Sequence, residues 1–120
     1  MFENSCIKIR LHDRNILLAD CRTIDGSYRF SSLDLDTLLG NIDGKFVWGK
    51  QGFSQSAREV SLEGTILTAD LMNMAGVWVS ASADLNPFIQ NNDGVLEGDN
   101  IPETTSDSEF VCISLVNKSP

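Results

Sequence analysis

The amino-acid sequence predicts a mostly β fold written twice in tandem, and three observations carry that expectation. Residues 33–46 return as residues 83–96, so that Asp34, Leu35, Leu39, Asn41, Asp43 and Gly44 stand against Asp84, Leu85, Ile89, Asn91, Asp93 and Gly94 at an offset of 50. Residues 6–11 alternate apolar and charged side chains with a period of two, the pattern of a strand with one buried face. Each repeat also carries an Asn-x-Asp-Gly turn, in which Asn and Asp bond their own backbone and Gly accepts a positive φ.

In chain order, the strand at 6–11 is followed by the polar turn 12–15 and a returning strand at 16–21. The Asp25-Gly26 turn leads into a third strand at 27–30, where Tyr28 and Phe30 share a face, completing a three-strand meander. Leu35, Leu38 and Leu39 have helix-like spacing over a stretch long enough for one turn. The turn 41–44 then feeds a strand at 45–48, and Gly49-Lys50-Gln51-Gly52 has the composition of a flexible joint. Trp48 and Trp78 both sit in alternating strands and read as core.

After the joint the opening of the chain returns. Residues 53–57 repeat 2–6 at an offset of 51, and Val60 and Leu62 answer Ile9 and Leu11. Leu67, Ala69, Asp70 and Leu71 then answer Leu17, Ala19, Asp20 and Cys21 at an offset of 50. The one-residue deletion falls in the polar turn, because a slip inside a strand would turn its apolar face outward. Three cysteines leave one unpaired, so at most a single bridge forms. Cys6 corresponds to Ala57 and Cys21 to Leu71, as if a bridge in the first repeat were replaced by a small and a large apolar residue in the second. Residues 98–120 lie beyond the repeats. Their polar stretch 98–108 reads as loop and the alternating 109–116 as an added strand or an interaction segment, with Cys112 a small buried hydrophobe.

Composition excludes several classes of function. With a net charge of −8 and nine Lys plus Arg, the chain lacks the clustered positive charge that nucleic acids or anionic membranes require. No apolar run approaches the roughly 20 residues that span a bilayer, so no membrane insertion is expected. Glu3, Lys8 and Arg10 interrupt the N-terminus, which therefore lacks the apolar core of a signal peptide; a cytoplasmic location or a non-classical export route is the expectation. An EF-hand loop is rejected because Leu39 and Ile89 stand where the first carboxylate would be. His12 stands alone in a polar turn, no motif surrounds a Ser or Cys nucleophile, and the acidic residues read as strand faces and turns, so no enzyme is expected.

The chain resembles the cyanovirin-N homology family of small lectins. The residues that carry the resemblance are Ser5-Cys6, Leu18-Ala19-Asp20-Cys21, Gly26-Ser27-Tyr28, 31–35, Asn41-Ile42-Asp43-Gly44, Trp48, Phe53 and the second Asn-x-Asp-Gly at 91–94. The resemblance implies one domain over 1–97. It would comprise two pseudo-symmetric halves, each a three-stranded antiparallel sheet plus a β-hairpin with short helical turns, and strands exchanged between them. Half A would hold about 1–37 plus 90–97 and half B about 38–89, with 98–120 a C-terminal extension. It further implies binding of mannose-rich glycans with α1,2-linked ends, or of glycoproteins that carry them, without metal or cofactor.

By position, the half-A pocket would draw on Asn4, Ser5, Arg22, Thr23, Ile24, Asn91, Asn92 and Asp93, whose amides, hydroxyls and carboxylate can match pairs of sugar hydroxyls. Arg22 stands where the family's best-known member has an acidic residue and Ile24 where it has a hydroxyl. The half-B pocket would draw on Asn41, Asp43, Gln51, Gln55, Ser56 and Asn73. Gly40, Met72, Met74 and Gly76 have replaced polar or charged residues there, so weakening or loss is expected. Cys6 and Cys21 would form the bridge. A mainly monomeric protein is expected, with a domain-swapped dimer possible through the 49–52 joint. The alternative is a protein-interaction module of the same fold that has lost sugar binding, using the 110–116 edge for β-addition.

Overall fold

The computed structural model describes residues 2–98 and the backbone of 111–112. Strands β1 (Cys6–His12), β2 (Ile16–Arg22) and β3 (Tyr28–Asp34) form an antiparallel sheet in the order β1-β2-β3. Strands β4 (Leu39–Ile42) and β5 (Lys45–Trp48) form a hairpin. Strands β6 (Ala57–Glu63), β7 (Ile66–Met72) and β8 (Trp78–Asp84) make the second three-stranded sheet, and β9 (Ile89–Asn92) pairs with β10 (Val95–Gly98). Short 3-10 turns at Phe2–Asn4, Leu35–Thr37, Phe53–Ser56 and Asn86–Phe88 join these units. The fold is thus mostly β, with the tandem repeat visible in its sheets and hairpins.

The repeat extends to the backbone. In β1, Lys8 adopts φ 55° and the pairing with β2 slips between Ile7 and Arg10; in β6, Glu59 adopts the same φ 55° and the slip lies between Arg58 and Ser61. This bulge corrects the simple alternation expected of 6–11. It turns Cys6 onto the face of the partly buried Ile9 and Leu11 and leaves Ile7 45% exposed. The single deletion falls at Arg14, since Asp13 (φ 62°) and Gly64 (φ 64°) hold the same turn, and Asn15 and Thr65 hold the next position. Asn15 Nδ2 donates to Asp34 (2.8 Å) and Thr65 Oγ1 to Asp84 (2.8 Å), while the carbonyls of Asn15 and Thr65 accept from Leu35 N–H (2.7 Å) and Leu85 N–H (2.9 Å).

The core is built from repeat partners. Phe2 and Phe53, Leu17 and Leu67, Ala19 and Ala69, Leu35 and Leu85, Leu39 and Ile89, and Phe46 and Leu96 are all buried. So are the disulfide-bonded Cys6 and Cys21 and the apolar pair Ala57 and Leu71 that replaces them. Phe46 meets Phe53 edge-on at 5.6 Å, and Trp48 stacks on Phe88 at 5.1 Å, joining the hairpins to the 3-10 turns.

Four local expectations are corrected. The segment 39–42 is a strand: the 3-10 turn, capped at its start by the Asp34 carboxylate on Asp36 N–H (3.0 Å), is closed at its end by Leu38 N–H on Leu35 O (3.1 Å), and the chain extends from there. Tyr28 and Phe30 do share a face of β3, but it faces solvent, with Phe30 58% exposed and the Arg10 guanidinium 5.8 Å from its ring. Trp48 is buried, whereas Trp78 is half-buried with Arg58 over its ring at 4.5 Å and the Arg58–Asp70 ion pair beside it. The joint 49–52 is tied down: Gly49 N–H bonds Leu38 O and Gly52 N–H bonds Asp36 O, both at 2.8 Å. Its glycines supply positive φ (95° and 78°) rather than slack.

Beyond β10, Val111–Cys112 form a short strand, β11, antiparallel to β5, with Val111 opposite Trp48 and Cys112 opposite Val47. The remainder of the strand expected at 109–116, the rest of the extension, and the Cys112 side chain lie outside the described residues.

Candidate functional site

Each hairpin is stitched to the loop of one three-stranded sheet by the same Asn-x-Asp-Gly residues. Asn91 Nδ2 donates to Ser5 Oγ (2.8 Å) and to the Arg22 carbonyl (2.9 Å), and its Oδ1 accepts from Gly94 N–H (2.8 Å). Asn41 repeats this with Ser56 Oγ (2.7 Å), the Met72 carbonyl (2.9 Å) and Gly44 N–H (2.9 Å). Asp93 Oδ1 accepts from Ile24 N–H and Asp43 Oδ1 from Met74 N–H, each at 2.9 Å. Gly94 (φ 89°) and Gly44 (φ 82°) lie so close to the loops that a Cβ would strike Thr23 and Arg29 in one half, and Val79 and Asn73 in the other.

The two loops have the same backbone and different means of closing it. Thr23 N–H bonds Ser27 O (2.7 Å) and Gly26 N–H bonds Thr23 O (3.0 Å); Asn73, Val77 and Gly76 repeat this at 2.9 and 3.0 Å. In half B the Asn73 side chain closes the loop, its Oδ1 accepting from Ala75 and Val77 N–H at 3.0 Å each. In half A the closure is made by Asp25, whose Oδ1 accepts from the Thr23 hydroxyl, from Ser27 N–H (3.0 Å) and from the Ser27 hydroxyl (2.7 Å). The Thr23 hydroxyl, the Ser27 amide and the Ser27 hydroxyl, in that order of effect, hold the Asp25 carboxyl down from 3.8 to about 2.

Around this loop lies an open cleft of about 450 Å³ lined by Thr23, Ile24, Asp25, Ser27, Arg29 and Asp93. Of the residues expected in the half-A pocket, the structure brings Thr23, Ile24 and Asp93 to this lining. Ser5, Arg22 and Asn91 meet in the stitch behind it, the Asn92 side chain turns to Glu97 (3.3 Å), and Asn4 lies exposed in the first 3-10 turn. Asp25, Ser27 and Arg29 line the cleft and were not anticipated. The available signal was the repeat itself, which places Ala75, Val77 and Val79 opposite them.

The expected half-B residues are occupied in the scaffold. Asn41, Ser56, Asp43 and Asn73 make the bonds above, and Gln51 Nε2 reaches the Thr37 carbonyl at 3.4 Å. Gln55 is exposed beside Gly52. Around them, Met74 is 87% and Val77 53% exposed; Ile24, the counterpart of Met74, is 89% exposed as well, so the two loops differ at Ala75 and Val77 against Asp25 and Ser27.

An open recess of hydroxyls, carboxylates and one guanidinium on a stitched β scaffold is suited to reversible binding of a polar ligand. Residues 2–97 match the CVNH domain, and the chain belongs to that family, whose members are lectins rather than enzymes. The NMR structure of the Gibberella zeae CVNH protein is 39% identical with a TM-score of 0.76, covering 82% of this chain and 97% of that one. A microvirin:mannobiose complex is 33% identical with a TM-score of 0.73, covering 81% and 96%. A crystal structure of a MoCVNH3 variant in complex with (N-GlcNAc)4 is 25% identical with a TM-score of 0.75, covering 81% and 95%.

Proposed function

We propose that this protein is a lectin that binds oligosaccharides through the half-A cleft, with α1,2-linked mannose ends as its ligands, and that half B has lost sugar binding. The observation that carries this reading is the unequal lining of two equivalent loops: Asp25, Ser27 and Arg29 against Ala75, Val77 and Val79. Sugar hydroxyls need acceptors as well as donors. Asp25 and Asp93 use Oδ1 for the scaffold, and their Oδ2 atoms make no hydrogen bond among the described residues. The loop is closed by its own bonds before any ligand arrives, so little ordering entropy is lost on binding. That family relatives include a mannobiose complex supports the choice of sugar. The protein works mainly as a monomer with one competent site, and tight attachment to a glycoprotein needs several copies on one surface.

Titration of ¹⁵N-labelled protein with α1,2-mannobiose should move the amides of Thr23, Ile24 and Ser27 and leave those of Asn73, Met74 and Val77 in place. A protein-interaction reading draws on the exposed Met74 and Val77. It replaces the lectin reading if no oligosaccharide, at millimolar concentration, shifts any amide of the half-A loop.

A further inference from the structure

The outer edge of the β4–β5 hairpin is met by chain from beyond the repeats. Residues opposite one another in an antiparallel hairpin exchange hydrogen bonds at every second pair. The Gly49 N–H to Leu38 O bond fixes which pairs these are, Gly40 with Val47 and Ile42 with Lys45. Phe46 and Trp48 therefore turn their N–H and C=O groups away from β4, to the opposite edge. The equivalent edge of half A meets Ser31, whose hydroxyl accepts from Leu96 N–H at 2.9 Å. Half B has Ala81 at that position and no hydroxyl to offer. What half B has along this edge is β11, with Val111 opposite Trp48 and Cys112 opposite Val47.

The connection between β10 and β11 begins and ends at one residue. Gly98, the last residue of β10, lies so close that an added Cβ would meet Leu38 at 2.6 Å and the Trp48 ring at 3.1 Å, and Val111 pairs with the Trp48 backbone. The linker 99–110 could reach about 40 Å when extended, so it closes this short gap with slack. A tether of that length holds its end at an effective concentration on the order of millimolar, well above that of a second copy in dilute solution. The linker is acidic, with Asp99, Glu103, Asp107 and Glu109, whereas 110–116 has no charge, no Gly and no Pro. Such a stretch, left unpaired, is an aggregation hazard, and an open sheet edge is another. Paired with each other, the two hazards cancel.

We propose that the β5 edge is a β-addition site for an extended, uncharged peptide, that its resident occupant is the chain's own segment 110–116 docked in cis, and that this sealing keeps the protein monomeric. Main-chain hydrogen bonds supply the attachment. The cleft and its residues take no part, so the proposal stands or falls apart from the lectin reading.

The full chain in solution provides the test. Cys112 and Val47 form a pair that exchanges no hydrogen bond, which brings their Hα atoms close. An NOE between them is expected in uniformly labelled protein, and none between chains when labelled and unlabelled protein are mixed. Val111→Pro removes an N–H from the pair with Trp48 and disfavours the strand. Trp48 N–H should then exchange with solvent about fivefold faster than in wild type, the worth of one main-chain hydrogen bond, while Val47 N–H, which faces β4, exchanges as before. Unchanged half-A amide shifts report that the variant is folded. In sedimentation the variant should self-associate over a concentration series in which the wild type stays monomeric. Equal Trp48 exchange in both proteins with no Cys112–Val47 NOE shows an open edge and overturns the proposal. An NOE between chains overturns the cis arrangement in favour of a second copy, and a variant that stays monomeric overturns the role in keeping chains apart.

Discussion

The two ends of this molecule share a backbone and differ in what they present. At each, an Asn ties a hairpin to a sheet through three hydrogen bonds, an Asp caps the next loop amide, and a Gly at positive φ brings turn and loop into contact. One loop then shows Asp, Ser and Arg to solvent and the other Ala, Val and Val. The difference separates two kinds of polar residue that look alike in a sequence. Those present in both halves stitch the hairpins to the sheets, whereas Asp25, Ser27 and Arg29 line the cleft of one half alone and have Ala75, Val77 and Val79 as counterparts.

The largest expected break in this symmetry concerns the bridge. Half A has the Cys6–Cys21 disulfide and half B fills the same place with Ala57 and Leu71. Closing a loop with a sequence separation of 15 contributes about 3 kcal/mol in the chain-entropy account. Denaturant unfolding with and without reductant should show a loss of that order with folding retained. The double variant Cys6→Ala/Cys21→Leu should recover part of it, because half B demonstrates that the volume can be filled. Equal stability in reductant would show that half A is held as half B is, by packing alone.

Next come the stitches, where the halves should behave alike. Asn91→Ala and Asn41→Ala each remove three hydrogen bonds at a half-buried position, leaving a loop carbonyl and a Gly amide without their partner. A cost of about 2–3 kcal/mol each is expected from the net worth of such bonds. Thermal or denaturant melts of the two variants should agree within about 0.5 kcal/mol. A large loss at one and none at the other would mean that the shared hydrogen bonds do not carry equal load.

The repeat made much of this legible in advance. Period-two alternation, the offset of 50 and the turn chemistry of Asn-x-Asp-Gly were enough for the sheets, the hairpin turns and the one-residue deletion in the turn between β6 and β7. What they missed has local physical causes. The bulges at Lys8 and Glu59 place ordinary side chains at positive φ, for which composition gives no signal. The strand β4 was masked by Leu spacing that also suits a helix. At the site, Asn91 and Asn41 carried two expectations, turn closure and sugar binding, and their amides are taken up by the first, with Ser5, Ser56 and two carbonyls as partners. Asp25 passed as a turn residue, since a turn and a cleft wall ask for the same small polar side chains, and Ser27 and Arg29 passed as members of the third strand.

The smallest effect, and the most local, is the titration of Asp25. Its folded pKa, about 2, lies below the 3.8 of the free side chain because Thr23 and Ser27 donate to the ionised form. A depressed carboxyl pKa stabilises the fold fully above the unfolded value, and that contribution is lost as pH falls from about 4 through about 2. Half B has Ala75 at this position and nothing to titrate. The difference between wild type and Asp25→Asn should therefore change across that acid window and be flat from pH 5 to 8, and sugar affinity should be flat over the same neutral range. Carboxyl-detected NMR titration of the folded protein reads the group directly. A midpoint near 3.8 would show that the hydroxyls of Thr23 and Ser27 point elsewhere in solution, and would leave the half-A loop closed by its backbone hydrogen bonds alone, without the side-chain closure that Asn73 gives its partner.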